Sequence, residues 1–120
     1  MIIRSASILV LAATVAIAQP VSADTFGAIA YSPSKKAISY SVNGASRSSA
    51  EATARSGCNA SDCRSALWFK NACGALASAS GGAWGTGWGN TQALASQYAT
   101  ETCEKNGGKS CKVRLNVCTP

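Results

Sequence analysis

Two stretches of the chain alternate large and small side chains, and in each case a stretch follows in which small residues recur every fourth position. From Ala37 to Asn43, Ile38, Tyr40 and Val42 share one face while Ala37, Ser39 and Ser41 share the other. From Ala83 to Gly89, Trp84, Thr86 and Trp88 oppose Ala83, Gly85, Gly87 and Gly89. A period of two predicts β-strands. After a Ser46 cap come Ala50, Ala54 and Cys58; after Thr91 come Ala95, Ala99 and Cys103. That spacing lines one face of a helix, so each run predicts a helix, the second with a stripe widened by Leu94 and Tyr98. Glycine is a poor strand former, and a row of it marks the approach of another backbone. The alanine faces supply a surface able to come that close.

The remaining elements are strands as well. Gly27 to Ser32 predicts a strand ending in a turn at Pro33-Ser34-Lys35-Lys36. In the last strand of each half, Ser65, Leu67 and Phe69 match Val113, Leu115 and Val117 and are expected to be buried. The opposite face then carries Arg64, Ala66, Trp68 and Lys70, matched by Lys112, Arg114 and Asn116.

These matches belong to a larger one, because the chain is written twice. Phe26-Gly27-Ala28-Ile29-Ala30 returns as Cys73-Gly74-Ala75-Leu76-Ala77, and Cys63-Arg64-Ser65-Ala66-Leu67 returns as Cys111-Lys112-Val113-Arg114-Leu115. Matched segments in the same order indicate an internal duplication. The expected fold is α+β: two repeated ββαβ units, residues 26–72 and 73–118, forming one antiparallel sheet with two helices. Few turn residues interrupt the run from Cys63 to Ser80, which argues for a single domain.

The first 23 residues read as an address. Arg4 gives a short basic start, Ile8 to Ala18 is apolar, and Val21-Ser22-Ala23 has the small-x-small pattern of a cleavage site. A membrane span needs roughly 20 apolar residues, more than this stretch supplies. The expected product is residues 24–120, secreted or periplasmic, with no membrane span after cleavage. It carries ten basic and five acidic residues, a net charge of +5.

All six cysteines fall in that product. In a small exported chain an even number reads as a disulfide framework. A zinc site is disfavoured, because the C-x2-C pairs of zinc ribbons are absent. Six cysteines allow fifteen pairings, but equivalent positions in equivalent units should pair alike. Cys58 and Cys103 each close a helix, and Cys63 and Cys111 each open the strand that follows. The expected bridges are therefore Cys58–Cys63 and Cys103–Cys111, which leaves Cys73–Cys118. Phe26 stands where Cys73 stands in the second unit, so an apolar contact is expected to replace the bridge in the first.

Several of these segments resemble a known family. The Gly27-Ala28-Ile29-Ala30-Tyr31-Ser32 opening, the run from Cys63-Arg64 through Trp68-Phe69 and Asn71-Ala72-Cys73 to Ala75-Leu76-Ala77, and Gly87-Trp88-Gly89-Asn90-Thr91 resemble the bacterial exported "domain of unknown function 4189" family. The resemblance spans residues 24–120, with Phe26 in place of the usual tryptophan. It implies a small secreted domain with an internal repeat, and it brings no catalytic motif.

The composition points away from catalysis. The chain has no histidine, so the commonest general base is missing, and bridged cysteines leave no thiolate nucleophile. The acids are Asp24, Glu51, Asp62, Glu101 and Glu104; none repeats between the halves, so no glycosidase-like pair is indicated. No enzyme activity, catalytic residue, metal or cofactor is expected. The expected binding face is a single exposed basic surface of Arg64, Lys70, Lys112 and Arg114 with Trp68 near its centre. It would serve a non-catalytic interaction module with an acidic protein partner. Alternatives are a periplasmic inhibitor or immunity-type protein, or a charge-driven binder of nucleic acid or anionic glycan. In the competing reading the tryptophans Trp84 and Trp88 are core residues and the basic row merely keeps the protein soluble.

Overall fold

The computed structural model describes residues 8–14 and 23–120. Eight elements follow in order: β1 (Phe26–Ser32), β2 (Ala37–Gly44), α1 (Arg47–Ser56), β3 (Arg64–Lys70), β4 (Cys73–Ser78), β5 (Trp84–Gly89), α2 (Gln92–Lys105) and β6 (Lys112–Cys118). Each half is ββαβ, as the pattern predicts. The expected caps form: the Ser46 side chain accepts from the Ser49 N–H, and the Thr91 side chain accepts from the Leu94 N–H.

The strands make two sheets instead of the expected one. β1 lies between β2 and β3, and β4 lies between β5 and β6, with every pairing antiparallel. The hydrophobic effect accounts for the difference. A single six-stranded sheet with helices on one face would leave the other face bare, and that face carries Ile29, Tyr31, Leu67, Phe69, Leu76, Leu115 and Val117. Folding one half onto the other buries these side chains in a shared core between the sheets. Asn71, at φ 48°, helps turn the chain from β3 into β4 and so from one sheet into the other.

The layers are α1, first sheet, second sheet, α2. Ala28 and Ala30 of β1 pack on Ala50 and Ala54 of α1. Ala75 and Ala77 of β4 pack on Ala95, Ala99 and Cys103 of α2. The expected closeness of helix and glycine row is present. A Cβ at Gly85 would lie 2.3 Å from the Cys103 nitrogen, and one at Gly87 would lie 2.4 Å from the Ala99 nitrogen. Leu94 and Tyr98, expected to widen the apolar stripe of α2, lie at its exposed flank.

Three disulfides join Cys58–Cys63, Cys103–Cys111 and Cys73–Cys118. Cys73 and Cys118 sit opposite one another on β4 and β6. At the matching place in the first half, Phe26 lies opposite Lys70 and stacks on Trp68 at 6.4 Å between ring centroids.

Of the leader, residues 1–7 and 15–22 lie outside the described residues, and with them Val21 and Ser22 of the expected cleavage motif. Ile8, Leu9, Val10 and Leu11 belong to no helix or strand and are 82–85% exposed. No helix among the described residues is long and apolar enough to cross a membrane.

Candidate functional site

The site is shaped by two β-bulges at matching places in the halves. The β1–β3 register shifts between Ile29 and Ala30, and the β4–β6 register shifts between Leu76 and Ala77. A bulge inserts one residue, and one extra residue exchanges the faces of everything beyond it. Leu67 and Phe69, with Leu115 and Val117, face the inter-sheet core as expected. Beyond the bulge, Ser65 lies opposite Ala30 on the α1 side, where its hydroxyl donates to the Glu51 carboxylate. Val113 lies opposite Ala77 on the α2 side and is 41% exposed. The expectation that Ser65 and Val113 share the buried face is therefore corrected.

The same exchange moves the cations. Arg64 lies opposite Tyr31, whose ring belongs to the inter-sheet core, and Lys112 lies opposite Ser78. Arg114, at the second bulge, donates from Nε to the Ser78 hydroxyl at 3.0 Å. Two hollows flank Tyr31. One, of about 520 Å³, is lined by Arg64, Asp62 and Trp84 among others. The other, of about 250 Å³, is lined by Arg114, Lys36 and Ser78 among others. Arg64, Lys112 and Arg114 thus meet at one end of the sandwich and are joined there by Lys36 from the first turn.

Lys70 and Trp68 do not share that surface. Six residues of strand separate Lys70 from Arg64, a rise of about 20 Å. Trp68, opposite Ala28, is on the α1 side, 39% exposed, with the Arg47 guanidinium 4.7 Å above its ring. Lys70 pairs with Asp24 at 3.0 Å. The expected single basic surface centred on Trp68 is therefore two places: a cationic end, and an aromatic patch at the far end of β3.

Trp84 and Trp88 also part company. Trp84 is half-buried against Tyr31, with centroids 4.8 Å apart, and belongs to the core. Trp88 is 56% exposed.

Local electrostatics leave the cationic end with a surplus of positive charge, Asp62 being the one carboxylate beside Arg64 in its hollow. The two ion pairs among the described residues, Arg47–Glu51 and Lys70–Asp24, lie elsewhere. Asp62, the acid beside Arg64, is held by the Ser32 hydroxyl and the Ser34 backbone N–H, which bring its pKa down to about 2. Glu51 is lowered by the Ser65 hydroxyl and Arg47, and Asp24 by the Asn71 side chain and Lys70. Burial pushes the Tyr31 phenol up, and the nearby Arg114 charge partly opposes that rise. Among the described residues, no group of three or more histidines, cysteines or acids is placed to hold a metal ion. The arrangement offers charge, hydroxyls and two aromatic rings, which are means of binding.

Sequence reasoning missed Tyr31, Lys36 and Ser78 as members of this end. The residues inserted at the bulges, Ala66 and Arg114, differ in size and charge, and no glycine marks either place. An amphipathic tyrosine at the close of a buried strand was the available signal.

No curated protein matches the chain. A solved structure, described as the NMR structure of Rv1813c from Mycobacterium tuberculosis, is similar in fold, with a TM-score of 0.60 at 23% identity. The match covers 99% of this chain and 95% of that one. The family model "Domain of unknown function (DUF4189)" matches residues 26–118, which takes in all six strands and both helices, and the chain belongs to that family.

Proposed function

We propose that this protein is an extracytoplasmic, non-catalytic interaction module that docks an acidic protein surface on the end around Tyr31. The observation that carries this reading is the pair of matching bulges, which turn Arg64 and Lys112 to the inter-sheet face and set Arg114 beside Tyr31. Arg64, Lys112, Arg114 and Lys36 outnumber the single carboxylate among them, Asp62, and a surplus of positive charge attracts acidic surfaces and speeds their encounter. The disulfides favour the same reading. Cys63 immediately precedes Arg64 and Cys111 immediately precedes Lys112, so two bridges fix the loops that deliver these side chains. Presentation on a fixed frame lowers the entropy lost on binding. Three disulfides also suit a chain that folds in an oxidising compartment.

The test is cross-linked capture from the exported fraction, then titration of the recovered partner against variants. Reversal of two charges, R64E/R114E, should weaken binding by about tenfold or more at low salt, and added salt should weaken the wild type. K70E, at the far end of β3, should bind within about twofold of wild type, because its charge is already matched by Asp24. Normal binding by R64E/R114E at low salt would refute the reading. Recovery of a nucleic acid or glycan with a steep salt slope would replace the acidic protein with a polyanion.

A further inference from the structure

Four strands lie at sheet edges: β2, β3, β5 and β6. Exposed edges invite pairing with other chains, and proteins commonly blunt them with charge, bulges or irregular backbone. Three of these four are blunted. β3 carries Arg64 and Lys70, β6 carries Lys112 and Arg114, and each pairs through a register shift. β2 is uncharged but breaks register near Asn43, which sits at φ 58°. β5 has no charged residue, no proline and an unbroken register with β4.

The Asn106 side chain donates to the Trp84 carbonyl at one end of this edge and would share or yield that acceptor on pairing. The sequence of the edge is a palindrome: Trp84-Gly85-Thr86-Gly87-Trp88. We infer that β5 pairs antiparallel with β5 of a second copy of this chain, about a two-fold axis through Thr86. Two-fold contacts require a surface that complements itself, and a palindromic strand does so residue by residue. In this register Thr86 meets Thr86, and each Trp84 meets Trp88 of the other copy. Threonine pairs and aromatic pairs are both favourable across antiparallel strands.

The faces agree. Trp84, Thr86 and Trp88 all lie on the side of β5 turned toward the first sheet, while Gly85 and Gly87 face α2. The pairing therefore joins two three-stranded sheets into one of six with both α2 helices on the same side. A hollow lies on each face of the edge. One, of about 490 Å³, is lined by Leu67, Phe69, Trp88 and Lys70 among others, the Lys70 charge being matched by Asp24, and would lie beside the exposed edge of the second copy's Trp84. The other, of about 500 Å³, is bounded by Trp88, Leu94 and Tyr98, which are exposed in the single chain. Charge decides in favour of a second copy over the acidic partner proposed above. Two chains of like net charge can approach only along an uncharged strip, and β5 provides one.

Sedimentation equilibrium on the exported, oxidised protein tests this. The average mass should rise from one chain toward two between about 1 µM and about 1 mM, the range suited to a small interface. Salt should promote the association by screening the net charges, the reverse of its effect on an acidic partner. A one-chain mass at about 1 mM would overturn the inference. T86K and T86E place like charges face to face on the axis, so each alone should remain single while an equimolar mixture regains the two-chain mass. A folded T86K that dimerises like the wild type also overturns it. Should T86K prove unfolded by circular dichroism, W88K decides, since that side chain is already mostly exposed. It should weaken dimerisation at least about tenfold, and undiminished dimerisation would refute the pairing.

Discussion

Replacing Gly85 or Gly87 with alanine adds one methyl group where no room exists. At Gly85 the new carbon would sit 2.3 Å from the Cys103 nitrogen and 2.7 Å from the Thr102 carbonyl carbon; at Gly87 it would sit 2.4 Å from the Ala99 nitrogen and 2.5 Å from the Tyr98 Cβ. Ordinary contact begins near 3.4 Å, so α2 has to withdraw by about 1 Å. The obstructing atoms belong mainly to helix backbone and cannot rotate aside as a flexible side chain would. Withdrawal also loosens the alanine face of α2 from β4. Overpacking of this kind costs about 1–3 kcal/mol, and a backbone obstacle places it in the upper half of that range. For a domain of this size, that lowers Tm by about 10–20 °C. The control is Gly81→Ala, where no atom lies within 4 Å of the added carbon and Tm should stay within about 3 °C. Thermal unfolding followed by circular dichroism with disulfides intact measures all three. If both Gly85→Ala and Gly87→Ala melt within about 3 °C of wild type, the close approach of α2 to β5 is wrong.

Two further outcomes are expected. Asp62 ionises near pH 2 in the folded chain, below the ordinary carboxylate value of 3.8. Between those values the unfolded chain binds more protons, so stability from this group is present above about pH 4 and is lost as pH falls toward 2. The Tm of D62N should therefore fall less than that of wild type over this interval, although Asp24 and Glu51 keep part of the dependence because they too are lowered. An equal slope in both proteins would mean that Ser32 and Ser34 do not hold the carboxylate. Among the disulfides, Cys73–Cys118 closes a loop of separation 45 and Cys58–Cys63 one of separation 5. The chain-entropy relation gives about 4 kcal/mol for the first and about 2 kcal/mol for the second. Denaturant unfolding of C73A/C118A and C58A/C63A should reproduce that order, and the reverse order would show that native contacts at the bridges outweigh loop closure.

Local features were legible in the residues themselves. Ser46 and Thr91 cap the helices because a hydroxyl beside free backbone N–H groups acts within three residues. The alternation from Trp84 to Trp88 gave the faces of β5 correctly because that strand pairs without interruption. The cysteine pairings followed from the matched segments, which place each short-range pair alike in the two halves. Longer-range geometry was not legible. Whether six strands form one sheet or two depends on what covers the second face of each, and that is settled by the other half of the chain. The sides taken by Arg64, Ser65, Lys112 and Val113 depend on register shifts against β1 and β4, strands more than thirty residues away. A strand's own sequence states that neighbours alternate, but one inserted residue exchanges every face beyond it, and only pairing in the folded sheet decides where that residue lies. The elements and the two short-range bridges were therefore set locally, while the gathering of cations around Tyr31 was decided by tertiary structure alone.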